Sequence, residues 1–279
     1  SDSISKSKLK NEEVDEVIMG QVLTGGAGQN PARQASIHSG VPKEKPAFIV
    51  NQVCGSGIRS IASGFQSIKS GDSKIVIAGG QENMSLAPHA IHLREGKKLG
   101  DTEMTDTMIK DGLWDAFNGY HMGITAENVA TKFQVTRDQQ DKFALSSQQK
   151  ALKAQKENKF KNEIVNFKIK SKKSEVNFNQ DEHPRDGINL EALKRLKPVF
   201  KKDGTVTAGN ASGINDGAAA VTLMTEEEAE RRSLSKLVTI KSWASCGVDP
   251  ALMGTGPIPS SKKAEIDFDK DEHPRDGIN

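Results

Sequence analysis

Two cysteines, Cys54 and Cys246, are all that the sequence contains, and two cannot build a disulfide framework. No CxxC pair and no His/Cys spacing suited to zinc occurs, so a structural or catalytic metal is not expected. No apolar run approaches the roughly 20 residues that a membrane-spanning helix needs. The opening Ser1-Asp2-Ser3-Ile4-Ser5-Lys6 lacks the apolar core of a signal peptide. Charge of one sign is also missing: 39 basic and 37 acidic residues are well mixed and leave a net charge of +2. That balance points to neither nucleic acid nor a membrane surface. The Lys168–Lys173 cluster reads as a solvated loop. These absences together predict a soluble, cytoplasmic protein with no membrane or nucleic-acid partner.

What is present suits a globular α/β chain. With 35% hydrophobic and 27% charged residues over 279 positions, one large or two smaller domains can each bury a core. Glu16 to Val22 reads as a strand, Ala32 to Ser39 as a helix stopped by Gly40 and Pro42, and Ala47 to Val50 as a buried strand. Ile58, Ile61, Ala62, Phe65 and Ile68 recur at helical spacing, which predicts an amphipathic helix over Gly57 to Lys69. Lys74 to Ala78 reads as the next strand, ending at Gly79-Gly80. Strand, helix and strand within about 35 residues make a βαβ unit and a parallel sheet. From Asn83 to about Thr207 the chain is polar and irregular, apart from a helix that Thr136 and Gln139 open with a capping box and that runs to about Lys156. A strand and charged loop are expected between Lys161 and Ser174, and a helix over Glu226 to Arg232. Leu237 to Ala244 is expected to begin a further strand. Residues 175–189 reappear as 265–279 with 11 of 15 positions identical. The copies are too short for solenoid units, and the tail reads as a join between two related sequences.

The chemistry concentrates at Cys54, where a buried strand is expected to turn into a helix between Gly55 and Gly57. Glycines allow close approach of a ligand to the backbone, and a helix N-terminus favours the thiolate, which is the nucleophilic form of cysteine. Strand, nucleophile and helix in that order match the logic of a nucleophile elbow. A buried structural cysteine fits the same local pattern, and the local pattern alone leaves both open. Cys246 reads as a core residue.

Five strings in order carry a resemblance, the first two belonging together. Asn51-Gln-Val-Cys-Gly-Ser-Gly-Ile-Arg-Ser60 with Ala78-Gly-Gly-Gln-Glu-Asn-Met-Ser85, then Gly119-Tyr-His-Met-Gly-Ile-Thr-Ala-Glu-Asn128, then Thr205-Val-Thr-Ala-Gly-Asn-Ala-Ser-Gly-Ile-Asn-Asp-Gly217, and finally Gly254-Thr-Gly-Pro-Ile-Pro259 resemble the thiolase family, over about residues 5–264. The likeness is strongest to the acetyl-transferring members, which form or cleave acetoacetyl-CoA. It implies a layered αβαβα fold with an inserted loop domain. Residues 1–82 and 208–235 are expected to form the N-terminal half and 83–207 the coenzyme A-binding loop domain. Residues 236–264 are expected to begin an incomplete C-terminal half.

The resemblance also implies a chemistry. Cys54 would take an acetyl group from acetyl-CoA, and the enolate of a second acetyl-CoA would attack the acetyl-cysteine. Leu113, His121 and Met122 would face the pantetheine, Arg185 the adenine end, and Phe200, Ala208, Ser212 and Ile214 the remaining channel. Coenzyme A thioesters are substrates here, and no cofactor is expected. A homodimer or homotetramer is implied. The family's second half supplies an Asn-Glu-Ala-Phe segment, a Gly-His-Pro histidine and a cysteine in Cys-x-Gly-Gly-Gly, and none of these strings occurs; nor does the opening Ala-Arg-Thr. The chain is therefore expected to be truncated at both ends and impaired in turnover, and neither His183 nor His273 is expected to replace the missing base. A ketoacyl-synthase-like condensing enzyme, or a module that binds acyl-CoA without turnover, are the other readings.

Overall fold

A computed structural model describes residues 1–170 and 174–264. In chain order its elements are α1 (Asp2–Lys6), β1 (Glu16–Gly20), α2 (Pro31–His38), β2 (Ala47–Val50), α3 (Ser56–Ser70), β3 (Ile75–Asn83), and four two-residue strands, β4 (His89–Ala90), β5 (Thr105–Asp106), β6 (Trp114–Asp115) and β7 (Tyr120–His121). There follow α4 (Met122–Lys132), α5 (Arg137–Lys156), β8 (Phe167–Lys170), β9 (Glu175–Phe178), α6 (Leu190–Lys194), β10 (Asp216–Met224), α7 (Glu226–Arg231) and α8 (Pro257–Lys263). They divide between two compact units. The first contains Ser1–Trp114 and Ile214–Trp243; the second contains Asp115–Gly213 and the described part of 244–279.

The first unit is organised by a four-stranded sheet in the order β10-β3-β1-β2. β1 runs parallel to both β2 and β3, so the chain crosses over β1 through α3, as the βαβ reading required. Period-two alternation sorts its side chains. Val17, Met19, Ile75 and Ile77 join Ile4, Leu9, Val14, Ala32 and Val41 in one apolar cluster, while Ile18, Val76 and Ala78 are buried at the alternate positions. α3 packs on β3 and β1, and its Gly64 admits the close approach: a Cβ there would sit 2.8 Å from Leu223 Cδ1 and 3.0 Å from Val76 Cγ1. Gly71 closes the helix in the left-handed conformation (φ 85°), with the Schellman-type bonds from Gly71 N–H to Ile68 O and Asp72 N–H to Ser67 O.

Three strand expectations need correction, the first being that β2 is buried: it is the sheet's edge strand, none of its four residues is buried, and Phe48 is 40% exposed. β3 does not stop at Gly79-Gly80 but continues to Asn83, because β10 pairs antiparallel along its whole length, from Asn83↔Asp216 to Ile75↔Met224. Residues 237–244 form no strand; Leu237 and Val238 are 95% and 73% exposed and have no ladder to join. Residues 83–114, expected with the loop domain, group with the first unit. Thr107 donates from N and Oγ1 to Pro88 O (3.2 and 2.6 Å) within that stretch, and Leu23 lies against Gly112.

In the second unit, α5 begins with the predicted capping box: Thr136 Oγ1 accepts from Gln139 N–H and Gln139 Oε1 accepts from Thr136 N–H. Arg137 reaches across to α6, donating from Nη2 to Leu193 O (2.7 Å) and Leu196 O (3.0 Å), carbonyls at that helix's C-terminal end. Residues 208–213 and 244–264 belong to this unit as well. Asn210 Nδ2 donates to the buried Asp141 Oδ1 (3.0 Å), and Asn128 Nδ2 donates to Ala251 O (3.1 Å), which ties a 3₁₀ turn at Pro250–Thr255 to α4. β8 and β9 pair antiparallel and place the predicted strand between Lys161 and Ser174; positions 171–173 of the basic cluster and the second repeat copy, 265–279, lie outside the described residues.

Candidate active site

Cys54 lies between the end of β2 and the start of α3, exposed, on a turn held from several sides. Val53 adopts a left-handed backbone conformation (φ 49°), which costs a β-branched residue about 1–3 kcal/mol and persists only where its surroundings impose it. They do. Asn51 Oδ1 accepts from Val53 N–H (2.9 Å), and Ser56 Oγ accepts from Gln52 N–H (2.8 Å) while donating to Val53 O (2.6 Å). Gly55 N–H and Ser56 N–H close onto Gln52 O and Val53 O (both 3.1 Å). Beneath the turn, β1 ends against the helix start. A Cβ on Gly20 would fall 2.3 Å from Ser56 C and 2.5 Å from Gly57 N, so only glycine fits there. Ser60 Oγ fastens the first turn of α3 to β3, donating to Gly79 O (2.6 Å) and accepting from Gly79 N–H (3.0 Å).

Cys54 lines a cavity of about 470 Å³, together with Val53, Gly57, Gly80, Leu113 and Ala218 among others. Two residues named from the sequence, Cys54 and Leu113, therefore share one cleft. Ile214 does not line it; it is 60% exposed, and the neighbouring residues 217–219 of β10 line the wall instead. Among the wall residues not singled out from sequence are Gln81 and Glu82. The Glu82 carboxylate accepts from Val22 N–H (2.9 Å) and Leu23 N–H (3.1 Å), and Gln81 Nε2 donates to Gln21 Oε1 (2.9 Å). Together they hold the turn after β1 as the cleft's rim. An acid at the end of a Gly-rich strand was the available signal.

The other named residues belong to the second unit. His121 is the N-cap of α4, its Nδ1 accepting from Gly123 N–H (3.0 Å), which leaves Nε2 to carry the proton of the neutral ring. Its ring stacks on Phe200 with centroids 4.7 Å apart and planes 18° from parallel, and burial holds its pKa below the usual histidine value. Gly123 completes the His-Met-Gly string for a steric reason: a Cβ there would lie 2.2 Å from the Phe200 ring. Met122, the first residue of α4, is half-buried and follows His121 in the chain; of the named residues, His121 and Phe200 are the two brought into contact. Ala208 and Ser212 are exposed on the loop after the buried Thr207. Arg185 is exposed on the segment after β9, its backbone N–H donating to Gln148 Oε1 (2.9 Å), and lies in neither group. Cys246 is partly exposed, so it is not the core residue expected; its N–H donates to Ser260 Oγ (3.2 Å). His183 is exposed, and His273 lies outside the described residues. Among the described residues, no three His, Cys, Asp or Glu side chains cluster as a metal site would require, and no helix is long and apolar enough to cross a membrane.

Comparison with known proteins gives consistent results. The family model described as "Thiolase, N-terminal domain" matches residues 1–227. The chain is 60% identical over 261 residues to an acetyl-CoA acetyltransferase of Rhizobium meliloti, covering 94% of this chain and 66% of the relative. It is 54% identical over 263 residues to a cytosolic acetyl-CoA acetyltransferase of Mus musculus, covering 94% and 66%. Among solved structures, the Bacillus anthracis acetyl-CoA acetyltransferase superposes with a TM-score of 0.92 at 40% identity, covering 96% of this chain and 69% of that one. The chain thus spans about two thirds of the length of the relatives it matches.

Proposed function

The chain belongs to the thiolase family, and from that premise we propose that it serves acetyl transfer between coenzyme A thioesters, forming or cleaving acetoacetyl-CoA through an acetyl group carried on Cys54. The observation that supports this reading most is the exposed Cys54 at the head of α3, on a backbone turn strained at Val53 and lining a cleft. A structural cysteine needs neither the strain nor the cleft.

In the forward direction the Cys54 thiolate attacks the acetyl-CoA carbonyl carbon. The new C–S bond forms, the bond to coenzyme A breaks, and the coenzyme A thiolate leaves and is protonated. One thioester replaces another, so this step is nearly neutral in energy, and covalent storage splits a difficult condensation in two. The enolate of a second acetyl-CoA then attacks the acetyl-cysteine carbonyl, releasing acetoacetyl-CoA and the thiolate. His121, Met122 and Phe200 suit the pantetheine arm, with Leu113 at the cleft beside Cys54. Ala208 and Ser212 would line the channel, and Arg185 would meet the adenine end. Condensation needs a base for the α-proton, and the 279 residues contain neither Gly-His-Pro nor Cys-x-Gly-Gly-Gly. The two steps are therefore separable in this chain. A cytoplasmic location, by likeness to the cytosolic mouse relative, and assembly as a homodimer or homotetramer belong to the same reading.

The test is thiolysis of acetoacetyl-CoA by the purified chain beside Cys54→Ala. Turnover lost in the variant supports the whole reading, and turnover that survives it overturns Cys54 as nucleophile. No turnover but an acetyl adduct on Cys54 supports the first step alone, and neither turnover nor adduct overturns the activity for this chain.

A further inference from the structure

α4 presents Gly123 and Glu127, four residues apart and therefore on one face, to a single loop. The loop runs from Pro198 to Thr207, its ends joined by the Pro198–Thr207 bridge and by Val199 N–H donating to Val206 O (3.0 Å). At one point Phe200 lies over Gly123 and stacks on His121. At the other, the Glu127 carboxylate, only 4% exposed, accepts from Thr205 N–H at both oxygens (2.8 and 2.9 Å), from Val206 N–H (2.8 Å) and from Thr205 Oγ1 (3.0 Å). Beyond Thr207 the loop continues into Ala208, steadied by Asn210, whose Oδ1 accepts from Thr207 N–H (2.7 Å).

A buried acid spending all its acceptors on one loop does more than fill space, because a neutral polar partner could not satisfy those donors. We propose that Glu127 is a positioning residue for the coenzyme A contacts of the second unit: by clamping Thr205 and Val206 it sets Phe200 against His121 on one side and the approach to Ala208 on the other. The inference rests on the coenzyme A reading above. Glu127→Gln keeps the volume but leaves one acceptor oxygen and aims an NH₂ group at backbone N–H donors, so the loop must shift.

The experiment is calorimetric titration of the 279-residue chain and of Glu127→Gln with coenzyme A. The expected result is a dissociation constant raised by about tenfold or more at unchanged stoichiometry. A variant that is merely destabilised would titrate with fewer sites at the wild-type constant, and that result overturns the inference. So does wild-type behaviour in both quantities. Wild-type chain that binds no coenzyme A overturns the coenzyme A reading itself, and the inference with it. If Glu127→Gln does not fold, Thr205→Ala decides. It deletes the hydroxyl between Glu127 and Gln140 Nε2 (2.8 Å) and spares the backbone bonds. A constant raised by roughly two- to fivefold supports the clamp, and an unchanged constant overturns it.

Discussion

Replacing Gly20 by alanine adds one methyl group to the site, and the consequence can be worked through. The added Cβ would meet Ser56 C at 2.3 Å, with Gly57 N and Ser56 O both at 2.5 Å. All three are backbone atoms at the start of α3, so no side-chain rotation relieves the clash and the helix must move off β1. Overpacking in a well-packed region costs about 1–3 kcal/mol, and a contact with backbone on every side belongs at the upper end, about 3 kcal/mol. Gly71→Ala is the matched control. There nothing lies within 4 Å of the added atom, and only the left-handed conformation (φ 85°) penalises it, at about 1 kcal/mol. Chemical denaturation of the three proteins measures both terms, and the alkylation rate of Cys54 reports whether its turn has moved. Gly20→Ala is expected to lose clearly more stability than Gly71→Ala and to change the alkylation rate, while Gly71→Ala leaves that rate as it was. Equal losses in the two variants, or an unmoved rate in Gly20→Ala, would refute the claim that close packing of β1 on α3 fixes the nucleophile.

Ser36 is 1% exposed, and its hydroxyl has no hydrogen-bond partner among the described residues. Ser36→Ala should therefore stabilise the chain by about 1 kcal/mol in a denaturant titration. Thr136→Ala removes the α5 capping box and should cost about 1 kcal/mol by the same assay. Glu228 is held down to about 2, from the ordinary 4.5, by hydrogen bonds first from Arg231 and then from Arg232. A depressed carboxylate stabilises the fold above its unfolded pKa, and that stability is lost as pH falls from 4.5 through about 2. Glu228→Gln should melt lower than wild type at neutral pH, by about 1 kcal/mol for this surface network, with the gap closing towards pH 2. A gap that stays constant down to pH 2 would contradict the assignment.

The parts of the fold legible in the sequence are those set by local chemistry. α3 showed in its apolar spacing, α5 in Thr136 and Gln139, and the parallel pairing in a strand, helix and strand at short range. β10 hid its type because Gly217 to Ala220 carry no alternation, and its partner lies more than a hundred residues earlier. Leu237 to Ala244 failed in the opposite way: its composition suits a strand, but pairing needs a neighbour that local sequence does not specify. At the site, Cys54 stood out by its glycines, and His121 only through its string. The contacts that give those residues their setting, Gly20 under Ser56, Phe200 over Gly123 and Glu127 on Thr205, join distant segments and have no local signature.

The central claim is that Cys54 accepts an acetyl group from acetyl-CoA, and intact-mass measurement after exposure to acetyl-CoA tests it most directly. The account predicts one acetyl group per chain, mapped to the peptide carrying Cys54, lost on adding free coenzyme A and absent from Cys54→Ala. No adduct on the wild-type chain, or the same adduct on Cys54→Ala, would contradict it.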